Sequence, residues 1–209
     1  MPRRDSGGNA ATFEFFGNHP ALDFVNTVHG RLRTPVDRLA TVDALLSWLV
    51  AAGQLDRAQA TEWHQRCRVE PEIGMRLLGE AHTLRDALWN ALSAAAAGAP
   101  PPAEALEALN RVLAHDTHAW RVSSTDDGGL AVQLVPTGES LMRPIMDLAE
   151  MGAELLCSLS LHRVRKCARQ DCSGLFYDTS KAGRRQWCRM ETCGNRAKAS
   201  RHYHRRAHR

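Results

Sequence analysis

Residues 167–193 read CARQDCSGLFYDTSKAGRRQWCRMETC, and this stretch decides the fold. It resolves into Cys167-x4-Cys172-x15-Cys188-x4-Cys193, two symmetric cysteine pairs separated by an insert of hairpin length. Clustered cysteines in a reducing, cytoplasmic setting point to a metal rather than to disulfides. A structural zinc ion takes four tetrahedral ligands, and a short pair lets one turn supply two of them. Free or redox-active thiols and an iron–sulfur cluster are the alternatives; the symmetry of the pairs favours one structural Zn²⁺ held by Cys167, Cys172, Cys188 and Cys193. Four protein thiolates leave no open coordination position, so the metal points to structure rather than to hydrolysis.

Inside the insert, Leu175–Asp178 is a strand candidate, Ser180–Gly183 can turn the chain, and Arg185-Gln186-Trp187 can return it. The order is knuckle, hairpin, then a cysteine pair opening a helix, which is treble-clef-like. A segment this short, whose aromatics are Phe176, Tyr177, Trp187 and Tyr203, cannot build a self-sufficient core. Metal binding would supply on the order of 10 kcal/mol of folding free energy. Four thiolates on Zn²⁺ carry a formal −2, which Arg165, Lys166, Arg169, Arg189 and Arg196 can partly offset.

Outward from the last cysteine, Asn195–His208 reads as a helix. Ala199, Tyr203 and Ala207 form a thin packing face, while Arg196, Lys198, Arg201, Arg205 and Arg206 cover most of the rest. Such a helix gains little from burial and repels itself; a polyanion relieves the repulsion by releasing counterions from phosphates. The expected DNA contacts are Arg184, Arg185, Arg196, Lys198, Arg201, His202, Arg205 and Arg206. The helix carries one stacking aromatic, Tyr203, so duplex DNA is preferred over single-stranded RNA.

The net charge of +4 hides a division of labour. Residues 162–209 carry 14 Lys and Arg against 3 acidic residues, whereas residues 1–161 carry 13 against 20. An acidic body thus bears a basic segment that seeks polyanions. The body, residues 12–161, reads as mainly helical. Phe13–Phe16 could form a short strand, and Pro20–Val28 a helix. Thr41 is a plausible N-cap for a helix to Ala52, and Asp56 for one over Arg57–Arg68. Glu72–Ala97 carries a stripe of Ile73, Leu77, Leu84, Leu88 and Leu92, ended by Gly98 and three prolines. Ala103–Ala114 places Leu106, Leu109 and Leu113 on one side. Trp120–Ser124 and Leu130–Val135 alternate around Asp-Asp-Gly-Gly, which is hairpin chemistry. A helix over Leu141–Leu161, with Leu155 and Leu159 on its apolar face, then runs into the basic segment. Cys67 and Cys157 read as buried small residues. The fold class expected is mainly α with a small β hairpin: a helical N-terminal domain followed by a small zinc finger over 162–209.

Cys193-Gly194-Asn195-Arg196, following the other three cysteines in order, closely resembles the CGNR zinc finger. Ala21-Leu22-Asp23-Phe24-Val25-Asn26-Thr27 resembles the signature of the ABATE domain, which precedes that finger in bacterial proteins described as stress-induced transcription regulators. The resemblance implies a DNA-binding regulator whose N-terminal part senses a ligand, and it names none. From the residues alone, Asp23, Asn26 and Thr27 interrupt an apolar stretch. They either cap and hydrogen-bond backbone at a helix end or, with Arg31, contact an anionic effector.

The leading reading is a zinc-dependent transcription regulator that binds double-stranded DNA. One short finger offers a small contact, so a homodimer on paired half-sites is expected. A zinc-stabilised protein-interaction module and an RNA-binding protein are the alternatives. No phosphate loop, nucleophile elbow or paired metal-type histidines point to an enzyme. No apolar run suits a bilayer and no secretory signal follows the start, so a cytoplasmic, nucleoid-associated protein without membrane contact is expected.

Overall fold

The computed structural model describes residues 13–115, 118–136 and 142–207; within these, the side chains of 118–120, 134, 136, 201, 202 and 204–207 lie outside the description. The body is built round a short helix, α1 (Pro20–Val25). Pro20 presets its first turn, and the His19 ring accepts from the Ala21 N–H at 3.3 Å. Ala21, Leu22, Phe24 and Val25 are fully buried, because α1 is packed by both α4 (Pro71–Ala96) and α6 (Arg143–Cys157). Helix α2 (Val42–Ala51) starts where expected, with the Thr41 hydroxyl accepting from the Ala44 N–H at 3.1 Å. Asp56 and Gln59 form a reciprocal capping box at the start of α3 (Arg57–Val69).

The long helix α4 is the spine. Its Leu77, Leu84, Leu88 and Leu92 join Phe24, Trp48, Leu49, Ile145 and Leu148 in one apolar core. Helix α5 (Ala103–Leu113) packs on α4 and α6 through Ala105, Ala108, Leu109 and Val112. The buried face is rotated from the expected one: Leu109 is buried, whereas Leu106 is partly exposed. Helix α6 crosses α4 at Gly152, where an added Cβ would meet Leu88 Cδ2 at 2.4 Å and Cδ1 at 3.1 Å. Leu88 is fully buried and cannot turn aside. Gly152→Val is therefore expected to cost at least about 1–3 kcal/mol by overpacking, read as a lower denaturation midpoint at unchanged m-value.

Three two-stranded antiparallel ladders decorate this core: β1 (Val28–His29) with β2 (Val36–Asp37), β3 (His118–Ser124) with β4 (Leu130–Pro136), and β5 (Val164–Lys166) with β6 (Leu175–Tyr177). The β3–β4 hairpin has the expected turn and leaves Val122, Leu130 and Val132 exposed. Four expectations are corrected. Phe13–Phe16 is not a strand; the N–H groups of Phe16 and Gly17 instead donate to the Asp23 carboxylate. Helix α6 ends at Cys157, because Ser158 turns extended and its hydroxyl donates to the Leu155 carbonyl at 3.0 Å. Leu159 and Cys157 are consequently exposed rather than part of an apolar face. In the basic segment β6 pairs with β5, not with Arg185–Trp187, so the first cysteine pair sits in the hairpin connection itself.

The core does not stop at residue 161. Val164 and Leu175 belong to the same apolar cluster as the helices of the body. Among the described residues, no helix is long and apolar enough to cross a membrane.

Candidate metal centre and basic helix

Cys167 follows β5 directly, and its N–H donates to the Gly174 carbonyl at 2.9 Å. Cys172 closes the knuckle, donating to the Arg169 carbonyl, while the Gly174 N–H points at its sulfur at 3.5 Å. Cys188 enters from the other side. Cys193 lies in a single wide turn, Met190–Gly194, that opens helix α7 (Asn195–Ala207). The four sulfurs lie within 4.8 Å of one another, with Cys172–Cys188 at 3.7 Å, Cys188–Cys193 at 3.5 Å and Cys172–Cys193 at 3.8 Å. Zinc–sulfur bonds of about 2.3 Å in a tetrahedron place the sulfurs about 3.8 Å apart, so the donor set fits the ion in both chemistry and size. Cys167, Cys188 and Cys193 are buried and Cys172 is half-buried.

Thiols this close cannot all ionise by themselves. The Cys172 and Cys188 thiols pull Cys167 down to about 2, while hydrogen bonding with Cys167 pushes Cys172 up to about 12 and Cys188 further still. A dication resolves the conflict by replacing the shared protons. Arg169 adds charge compensation, its Nη1 standing 3.9 Å from Cys193 Sγ. Asp171 grips that guanidinium from two sides, and Arg169 in turn holds the Asp171 carboxyl at about 2.

The residues matching the N-terminal signature turn out to hold backbone, Asp23 and Thr27 within the body and Asn26 between body and finger. Asn26 Nδ2 donates to the Leu175 carbonyl at 2.7 Å and its Oδ1 accepts from the Leu175 N–H at 2.9 Å, all buried. Asp23 Oδ1 accepts from Phe16 and Gly17 at 2.8 and 2.7 Å; burial nevertheless raises its pKa. Thr27 donates to the Phe24 carbonyl and accepts from Arg85. Arg31 donates to Asp86 at 2.7 Å and lies over the Trp89 ring, which Lys166 also approaches. Asp23, Asn26 and Thr27 thus make internal contacts, whereas Arg31 Nε and Nη2 are buried without a hydrogen-bond partner.

More of the seam was not read from the sequence. Tyr177 N–H donates to the Gly17 carbonyl, Asn18 Nδ2 to the Tyr177 carbonyl, and Trp89 Nε1 to the Ser173 carbonyl. Arg189 pairs with Glu14 at 2.5 Å. Buried Asp178 accepts from Ser180 N–H and Oγ and from the Arg185 N–H, shaping the loop after β6. The triplet Asp178-Thr179-Ser180 is a local signal for such an Asx turn. A pair in the body, buried Arg85 on half-buried Asp37 at 2.7 and 2.6 Å, had no local signal at all. Burial works against the Asp37 charge, but Arg85 outweighs it and holds the carboxyl below its ordinary range.

Of the expected DNA contacts, Arg184, Arg196 and Lys198 are exposed. Arg185 is not available in the same way: it donates to the Phe16, Trp187 and Cys188 carbonyls and stacks over Phe176 at 4.2 Å. Helix α7 is described through Ala207, but the side chains of Arg201, His202, Arg205 and Arg206 lie outside the described residues.

A helical body whose core runs into a four-cysteine knuckle, with a basic helix leaving the last ligand, defines a protein with a C-terminal zinc finger carrying one structural zinc. Comparison with family models agrees. Residues 18–159 match ABATE, described as "Putative stress-induced transcription regulator", and residues 163–206 match the CGNR zinc finger. The chain belongs to the ABATE family and carries a CGNR zinc finger. No curated protein matches it in sequence.

Proposed function

We propose that this protein is a zinc-dependent, DNA-binding transcription regulator of the cytoplasm and nucleoid. The observation that carries the reading is the basic helix: α7 begins two residues after ligand Cys193, so the metal fixes its N-terminus while its start exposes Arg196 and Lys198. Cys167, Cys172, Cys188 and Cys193 hold the ion. Arg184, Arg196, Lys198, Arg201, His202, Arg205 and Arg206 meet duplex DNA, phosphates foremost. Arg185 is left out because its guanidinium already holds the finger together. The acidic body is repelled by DNA, faces away from it, and serves dimerisation and the sensing of a small effector.

The test is DNA binding as a function of salt. Replacing Arg201 and Arg205 by Ala is expected to weaken binding and to flatten the slope of log K against log salt by about one unit for each. An unchanged slope removes α7 from the interface. Single-stranded RNA bound more tightly than duplex DNA under the same salt would replace the DNA reading with an RNA one.

A further inference from the structure

A cavity of about 310 Å³ lies between the body and the finger, at the low end of the ligand-sized range of about 300–1,000 Å³. The body contributes Glu14, Phe16, Val28 and His29; the finger contributes Arg169, Asp171, Arg189 and Arg196, with the zinc ligands Cys172, Cys188 and Cys193 also lining it. Of the four residues expected to meet an effector, Asn26 lines it and Asp23, Thr27 and Arg31 do not.

We infer that this cleft binds a small amphipathic monocarboxylate. The polar lining is an account with donors left over. Glu14 is taken by Arg189 at 2.5 Å, and Asp171 is taken by Arg169. Arg189 also lies over the Phe16 ring at 5.4 Å, and Arg196 has no ion pair among the described residues. His29 is kept neutral, burial lowering its pKa, so it can donate one N–H without adding charge. A ligand that fills these positions must bring acceptors. A cation would face Arg196, whose guanidinium no lining carboxylate neutralises. A dianion such as a phosphate monoester would face the zinc thiolates, whose formal charge is −2. One carboxylate matches the one arginine that lacks a partner. Phe16 and Val28 give the rest of the molecule an apolar wall.

The regulatory consequence rests on the DNA-binding reading above; the binding itself does not. Arg196 stands in the first turn of α7, so a carboxylate that engages it withdraws a phosphate contact. The ligand then weakens DNA binding and flattens the salt slope by about 0.9. By linkage, DNA weakens the ligand by the same factor.

The experiment is an NMR titration of the zinc-loaded, full-length, ¹⁵N-labelled chain with hexanoate, octanoate and benzoate, and with octylamine and octanol as charge controls. Saturable shifts are expected at Val28, Gly30, Ser173 and Thr192 with a carboxylate and not with the amine. Arg196→Gln should weaken that binding about tenfold or more, as loss of a charge-assisted hydrogen bond requires, and Arg196→Lys should restore part of it. Arg196 is exposed, so neither variant threatens the fold. No shift at these residues with any of the carboxylates, equal shifts with the amine, or undiminished binding by Arg196→Gln overturns the assignment. DNA binding measured without any carboxylate fails or succeeds separately, which keeps the two readings apart.

Discussion

Removing zinc with a chelator is expected to cost about 10 kcal/mol of folding free energy or more, comparable to the whole reserve of about 5–15 kcal/mol that a folded domain holds. The finger should unfold and DNA binding should vanish with it. The loss should not stay in the finger. Val164 and Leu175 sit in the body's own apolar cluster, and β6 is hydrogen-bonded to Gly17 and Asn26. Chelation should therefore lower the melting temperature of the helical body as well, monitored by circular dichroism at a helical wavelength. Cys172→Ser should reproduce the effect, since it removes one of four thiolates. A chelated protein whose helices melt at the untreated temperature would show that the finger is energetically separate. A Cys172→Ser protein that keeps the metal and the DNA complex would remove Cys172 from the ligand set.

Replacing Asn26 is expected to have the next largest effect. Its amide satisfies both the N–H and the carbonyl of Leu175 in a buried setting. Asn26→Ala leaves two buried backbone groups without partners, each costing about 1–3 kcal/mol, so a loss of about 2–6 kcal/mol follows. Asn26→Asp should do no better. A carboxylate still accepts from the Leu175 N–H but cannot donate to its carbonyl, and it would be a buried charge facing an oxygen. Either change should broaden the unfolding transition, because it weakens the link between body and finger that the remaining seam contacts still carry. Chemical denaturation followed by Trp fluorescence and by zinc release gives the two signals. If they stay coincident and the midpoint does not move, the amide contributes nothing to the coupling.

Much of this architecture was legible in local pattern. The apolar stripe of α4, the caps at Thr41 and Asp56 and the turn of the β3–β4 hairpin are encoded within a few residues of where they act. So are the four ligands, whose spacing is itself the geometry. The partner of β6 was not legible, because Val164–Lys166 lacks strand alternation and the competing Arg185–Trp187 has the better turn before it. The end of α6 was missed for a similar reason: the apolar period continues through Leu159, whereas the backbone turns extended at Ser158. The roles of Asp23, Asn26 and Thr27 were open because a side chain that holds distant backbone has the same sequence signature as one that holds a ligand. Asn26 and Leu175 are 149 residues apart, a separation at which no periodicity speaks. Arg185 shows the converse. It stands in a basic run and looks like a phosphate contact, yet the carbonyls of Phe16, Trp187 and Cys188 consume its donors.

The Asn26–Leu175 clamp also bears on how such a chain can be recombined. The two family matches abut, one ending at residue 159 and the other beginning at 163, and that junction invites a cut. A finger excised there would leave behind the loop that pairs with its own strand, and a body truncated there would expose an amide with nothing to hold. Grafting this finger onto a foreign scaffold would mean carrying residues 14–26 along as a second, non-contiguous piece. The smallest transplantable unit is thus discontinuous in sequence, and a fusion that ignores the upstream piece should yield a metal-binding peptide without a fixed pose.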